Sequence, residues 1–253
     1  MMKLELVGER RALSSLVFGF FGALFTLNSF FVPELRALLL SMGALYLIAF
    51  FSVASGWFWG RWVALGLAVQ GTLSGVLMLV QGEDGLNPFV LFYGIAHGLA
   101  WLSLSGKVMS DAYEGSASWR QKYRIEDGGA ERIGRTVMRV TMALPMLIGL
   151  VFAPGGGGEG AAIALALGSL ALWGSVRLRA WAPLAAGGAG AVLMGGWLAR
   201  SSCAGAGAGV MGGGVGGSMS VLWLPGSALL AGVVLLSAFA VFAGPIVRFL
   251  RSR

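Results

Sequence analysis

The stretch Leu13–Val32, LSSLVFGFFGALFTLNSFFV, runs for twenty residues without a charge. A helix of that length rises about 30 Å, the thickness of a bilayer's hydrocarbon core. Glu9, Arg10 and Arg11 precede it, and Pro33, Glu34 and Arg36 follow. Charge and a helix-ending proline therefore bracket the apolar run, as they bracket a helix that spans. Lys3, Arg10 and Arg11 have the charge of a signal-peptide n-region, but the run exceeds the roughly 7–15 residues of an h-region. No A-x-A cleavage site follows it. The reading is a retained first span.

Working outward, seven more runs of this kind follow, at 37–56, 62–80, 89–106, 136–153, 161–176, 181–199 and 226–247. Together they predict an all-α integral membrane protein, a bundle of eight transmembrane helices. The basic residues then give it an orientation. Lys3, Arg10, Arg11, Arg61, Lys107, Arg120, Lys122, Arg124, Arg132, Arg135, Arg139, Arg177, Arg179, Arg248, Arg251 and Arg253 fall on one side, and Arg36 and Arg200 on the other. Loops rich in Lys and Arg stay cytoplasmic, so both termini are expected in the cytoplasm. Glu34, Glu83, Asp84 and Glu159 occupy the opposite loops. Trp57, Trp59, Trp62, Trp173 and Trp181 mark one interface, with Trp197 and Trp223 at the other, as aromatic belts do.

Composition agrees with this class and removes others. Hydrophobic residues make up 57% of the chain and charged residues 11%, about half the charged share of a soluble domain. The net charge of +7 sits beside the spans, so anionic lipid headgroups rather than nucleic acid are its expected partners. Cys203 is the sole cysteine, which rules out an intrachain disulfide and a cysteine metal cluster. Gly at 42 residues is high and suits close helix packing. Together with the short loops, these features point to a bacterial inner (plasma) membrane.

Three regions organise the chain: a four-span half, 1–106; an interfacial cytoplasmic linker, 107–135; and a Gly/Ala-rich four-span half, 136–253. The linker interleaves Tyr113, Trp119, Tyr123 and Ile125 with charges. That mixture fits a segment lying at headgroup level, or a docking surface for a protein partner. The Gly/Ala-rich spans, with Gly187-Gly188-Ala189-Gly190 and Gly195-Gly196, are a second candidate for partner contact. The segment 204–224 reads as a Gly-rich outer loop, with a re-entrant segment or a ninth span as alternatives. Glu9-Arg10 before span one is echoed by Glu131-Arg132 before span five, a weak sign of a 4+4 parallel repeat.

The absences narrow the chemistry. No Asp, Glu or Lys lies inside a predicted span, so a carboxylate relay coupling transport to ions has no residues to use. There is no H-E-x-x-H, no C-x-x-C and no Walker A loop. No metal site and no cofactor is expected, and no catalytic residue is assigned. What remains is a set of polar groups at depth. His97 falls roughly 12 Å along span four, near mid-membrane. Tyr93, His97 and Trp101 are spaced by four, so they fall along one side of the helix. Gln70, Tyr46 and Asn28 lie in spans three, two and one. Gly94 and Gly98 on span four, and Gly71 and Gly75 on span three, form small-xxx-small pairs that let helices approach closely.

Three functions remain compatible. The first is a non-catalytic scaffold or accessory subunit of a membrane assembly. The second is a facilitator or permease for a neutral or apolar solute, lined by His97, Tyr93, Gln70 and Tyr46. The third is a lipid-modifying enzyme using His97 as a general base.

Overall fold

The computed structural model describes residues 2–81, 87–115, 127–153, 158–179, 181–204 and 227–251. Every regular element among them is helical. α1 spans Met2–Phe31, and a 3-10 turn at Pro33–Leu35 turns it into α2, Arg36–Ala54. α3 (Gly60–Gln81), α4 (Pro88–Leu104) and the short α5 (Lys107–Glu114) complete the first half. α6 (Asp127–Phe152), α7 (Gly158–Val176), α8 (Ala182–Ala204) and α9 (Ser227–Arg251) make the second.

Five of these helices, α1, α2, α3, α6 and α7, are long and apolar enough to cross a membrane. α4 and α5 together pass the same test as a bent pair, which gives six. α8 and α9 contain shorter apolar stretches, Ala182–Leu198 and Ala228–Phe242. The apolar residues point both ways. Phe18, Phe21, Leu67 and Leu147 are buried, while Phe30, Ile48, Val76, Phe92, Ile95 and Leu170 face outward. A water-soluble bundle would carry polar residues on that outer surface.

Each half closes on itself. α1 packs against α2 and α4, and α3 fills the other side between α2 and α4. In the second half α6 packs against α7 and α9, while α8 lies against both α7 and α9. The halves meet mainly along α3 and α6, with a lesser contact of α2 on α6. These contacts depend on glycine. A methyl group at Gly75 would sit 2.6 Å from Gly94 Cα, so α3 and α4 touch backbone to backbone there. At Gly66 it would meet Thr141 Cβ at 2.9 Å and Met142 N at 3.1 Å on α6. Without a hydrophobic drive between helices in lipid, such close van der Waals contact is what holds them.

Helix ends follow the sequence. Asn87 caps α4, its side chain accepting from the Phe89 N–H at 3.0 Å, with Pro88 in the first turn where its missing N–H costs nothing. Gly106, with φ of +94°, ends the run and lets α5 turn away by 70°. α6 begins at Asp127, well before the apolar run at 136, so the end of the linker is helical. Trp119, Tyr123, Ile125 and the Gly-rich stretch 204–224, apart from Ala204, lie outside the described residues.

Candidate functional site

Three of the polar groups at depth, Tyr46, Tyr93 and His97, form one connected set where α1, α2, α3 and α4 converge. Tyr46 Oη of α2 lies 2.8 Å from both Tyr93 Oη and His97 Nε2 of α4. His97 Nδ1 lies 2.8 Å from the Tyr93 carbonyl oxygen, one turn back on its own helix. A carbonyl can only accept, so Nδ1 carries the proton. In the neutral ring Nε2 then accepts, which requires the Tyr46 hydroxyl to donate to it. Tyr46 has a single proton, so Tyr93 must donate to Tyr46. The chain of bonds runs in one direction, Tyr93 to Tyr46 to His97 and back to the Tyr93 backbone.

Packing encloses this set. His97 is fully buried, with Phe21 at 4.8 Å and Tyr93 at 4.2 Å between ring centres. Phe18 approaches edge-on at 6.5 Å. On the α3 side the ring lies against Gly71, where a methyl group would come within 2.7 Å of Nε2. Both ring nitrogens are occupied and both faces are covered, so His97 sits in a packed helix contact. The ring is shut off from solvent on every side, so in this packing no path leads a substrate to Nε2.

The other residues singled out by sequence lie elsewhere. Gln70 is buried, but its Nε2 donates to Ser74 at 3.0 Å and makes no bond to His97. Asn28 donates to the Leu24 carbonyl at 2.8 Å on its own helix. Trp101 is 44% exposed. Eight residues on a 3.6-residue helix rotate about 80°, which carries it off the face that holds Tyr93. Gly71 and Gly75 lie at tight contacts, whereas a methyl group at Gly94 would be 3.4 Å from Gly75 Cα and one at Gly98 3.9 Å from Thr72. Among the described residues no three His, Cys, Asp or Glu side chains gather as a metal site.

Removing the central donor tests the direction of the bonds. Tyr46→Phe should cost about 0.6–1.7 kcal/mol, the range for interhelical hydrogen bonds in membranes. Nitrogen NMR of the single histidine checks it. The wild type should show a protonated Nδ1 and a hydrogen-bonded, unprotonated Nε2, and the variant should lose the second feature. A protonated Nε2 in the wild type would contradict the assignment.

A second polar cluster, which sequence reading took for orientation markers alone, gathers at the end where α1 begins. Arg10 Nε donates to the Ser103 carbonyl at 2.8 Å, and its Nη2 to those of Ser105 at 2.6 Å and Leu102 at 3.1 Å. Ser14 and Ser103 hydroxyls meet at 2.5 Å beneath it. Arg11 donates to the Ala54 carbonyl, and Arg61 Nε to that of Leu104 at 2.9 Å. Three arginines thus cap the C-terminal ends of α2 and α4, where unpaired carbonyls carry partial negative charge. Neither helix has a basic residue in its own last turn, so the caps come from other helices.

α5 is fastened to this cluster. Glu114 is buried and ion-paired with Arg61, and Trp62 Nε1 donates to the same carboxylate oxygen at 2.9 Å. Tyr113 donates to the Val53 carbonyl at 3.0 Å. Burial pushes the Tyr113 hydroxyl above its usual range, while the Arg11 and Arg61 guanidinium groups pull it back. Tyr113 is buried against the protein, turned inward by Gly106 beneath the ends of α2 and α3. The available signal was a carboxylate and a tyrosine a short turn beyond a span, with an unmatched arginine opening span three. In the second half Arg139 makes the comparable reach, donating to the Ser237 carbonyl at 2.6 Å.

No protein-family model, no curated protein and no solved structure matches this chain, so what it does must be argued from these residues.

Proposed function

We propose that this chain is an eight-span protein of the bacterial inner membrane, with both termini cytoplasmic, acting as a non-catalytic scaffold or accessory subunit of a membrane assembly. The single observation that carries the functional part is the saturated bond chain of Tyr93, Tyr46 and His97. Three of the polar groups that could have bound a solute are engaged with one another, joining α2 to α4 in a packed contact. The sixteen-to-two division of Lys and Arg supports the orientation.

Small residues left unused by internal packing support a helical partner. Gly187 and Gly190 are filled by Phe239 and Leu236 of α9, but among the described residues nothing lies within 4 Å of a methyl group placed at Gly195 or Gly196. Gly196 also borders an apolar recess of about 160 Å³, with Leu150, Gly160, Val192 and Ala228 on its walls. A partner helix could approach α8 closely there.

Crosslinking in native membranes, followed by purification in mild detergent, tests the proposal. One stoichiometric partner is expected, retained in folded His97→Ala protein. A partner-free protein that makes vesicles permeable to a neutral solute, and loses this in folded His97→Ala, would replace the scaffold with a facilitator. A reporter fused after Arg253 that reads as external would overturn the orientation.

A further inference from the structure

Gln70 is 7% exposed, and its Oε1, shut off from solvent, accepts no hydrogen bond. A buried acceptor left this way costs about 1–3 kcal/mol, so a donor is wanted beside it. The neighbouring helix is set by register. A methyl group at Gly134 of α6 would lie 2.7 Å from Trp62 Nε1, and one at Gly66 would meet Thr141 and Met142. Trp62, Gly66 and Gln70 are spaced by four along one face of α3. One more turn of this parallel register brings Gln70 opposite the turn of α6 that contains Pro145.

Pro145 is buried inside α6 and has no N–H to give to the Thr141 carbonyl four residues earlier. The Thr141 hydroxyl cannot serve that carbonyl, because it donates to Val137 O at 2.8 Å. Two acceptors, one from each half, therefore fall on adjoining turns of the α3–α6 contact, the one without a partner and the other without the N–H that an unbroken helix would give it.

We infer that a buried water molecule lies between α3 and α6, donating one proton to Gln70 Oε1 and the other to the Thr141 carbonyl. Water supplies two donors and no charge, which is what two neutral acceptors in an apolar seam require. Proline in spanning helices is tolerated where a water or neighbouring group serves the freed carbonyl. The water ties the two four-helix halves at the contact that joins them, and it does so whether or not the chain is a scaffold.

Radiolytic labelling in heavy-oxygen water, on the full chain in lipid nanodiscs, tests this, because hydroxyl radicals form where water resides. Pro145 and Met142 should take up heavy oxygen. Gln70→Leu removes one acceptor, and Pro145→Ala returns an N–H to Thr141, so each should bring the Met142 label to background. An unlabelled Met142 and Pro145 in the wild type overturns the inference whatever the variants do. That is also the result if the Gln70 amide lies the other way round and donates directly to the Thr141 carbonyl. Labelling that persists in both variants overturns it equally.

Discussion

Replacing Arg61 by alanine is expected to destabilise the protein by up to about 3–5 kcal/mol, the cost of breaking a buried ion pair from one side. The side chains of Arg61 and Glu114 are 12% and 11% exposed, so water screens the pair poorly. The substitution takes the guanidinium away from the Glu114 carboxylate, which still accepts from the Trp62 indole. It also uncaps the Leu104 carbonyl at the end of α4. Arg61→Lys should recover part of the loss, since an ammonium keeps the charge but cannot reach both acceptors with a planar fork. Thermal unfolding in detergent, followed by tryptophan fluorescence, measures both. A loss below about 1 kcal/mol for the alanine variant would mean the pair behaves as a solvated surface pair.

Gly71→Ala should be nearly as damaging. The added methyl group would press into the His97 ring, within 2.7 Å of Nε2, at a place where Phe21 and Tyr93 leave it no retreat. Overpacking of this kind costs about 1–3 kcal/mol, and displacing the ring also breaks its bond to Tyr46. The nitrogen signal of the histidine should therefore change together with stability. Gly98→Ala is the matched control. Its nearest neighbour is 3.9 Å away, and alanine favours a helix over glycine by about 0.5–1 kcal/mol, so it should be neutral or stabilising. Equal effects from the two substitutions would remove the distinction drawn between these glycines.

The helices were legible because apolar length and flanking charge are local properties. Each of the eight runs read from the sequence falls on a helix to within one or two residues, but only five helices, or six with the bent α4–α5 pair, are long and apolar enough to cross a membrane. α6 starts earlier than its apolar core because Asp127 to Arg135 is polar yet helical. The meeting of Tyr46 with His97 was foreseeable only as shared depth. Which face of α2 turns toward α4 depends on packing that a single sequence does not display. Trp101 illustrates the limit, since a spacing of four keeps neighbours together for one step and drifts by the second. The arginine cluster was hidden for a different reason. Each arginine was fully accounted for by orientation, and nothing local reveals that Arg10 reaches carbonyls on α4. Glu114 and Tyr113 were readable as polar and aromatic, but their burial follows from the turn at Gly106.

The span of those arginine contacts sets an order of events during synthesis. Arg10 finds its acceptors more than ninety positions downstream, and Arg11 finds its own 43 positions downstream. Chains leave the ribosome amino end first, so the Arg10 guanidinium waits in water while three later rods are threaded into the lipid, and that of Arg11 while one is. Arg11 can fasten the first rod to the second once Ala54 has been made, but Arg10 has no acceptor until Ser103 and Ser105 follow. A nascent chain arrested before that point would hold its early helices loosely, open to capture by whatever escorts membrane proteins to their assemblies.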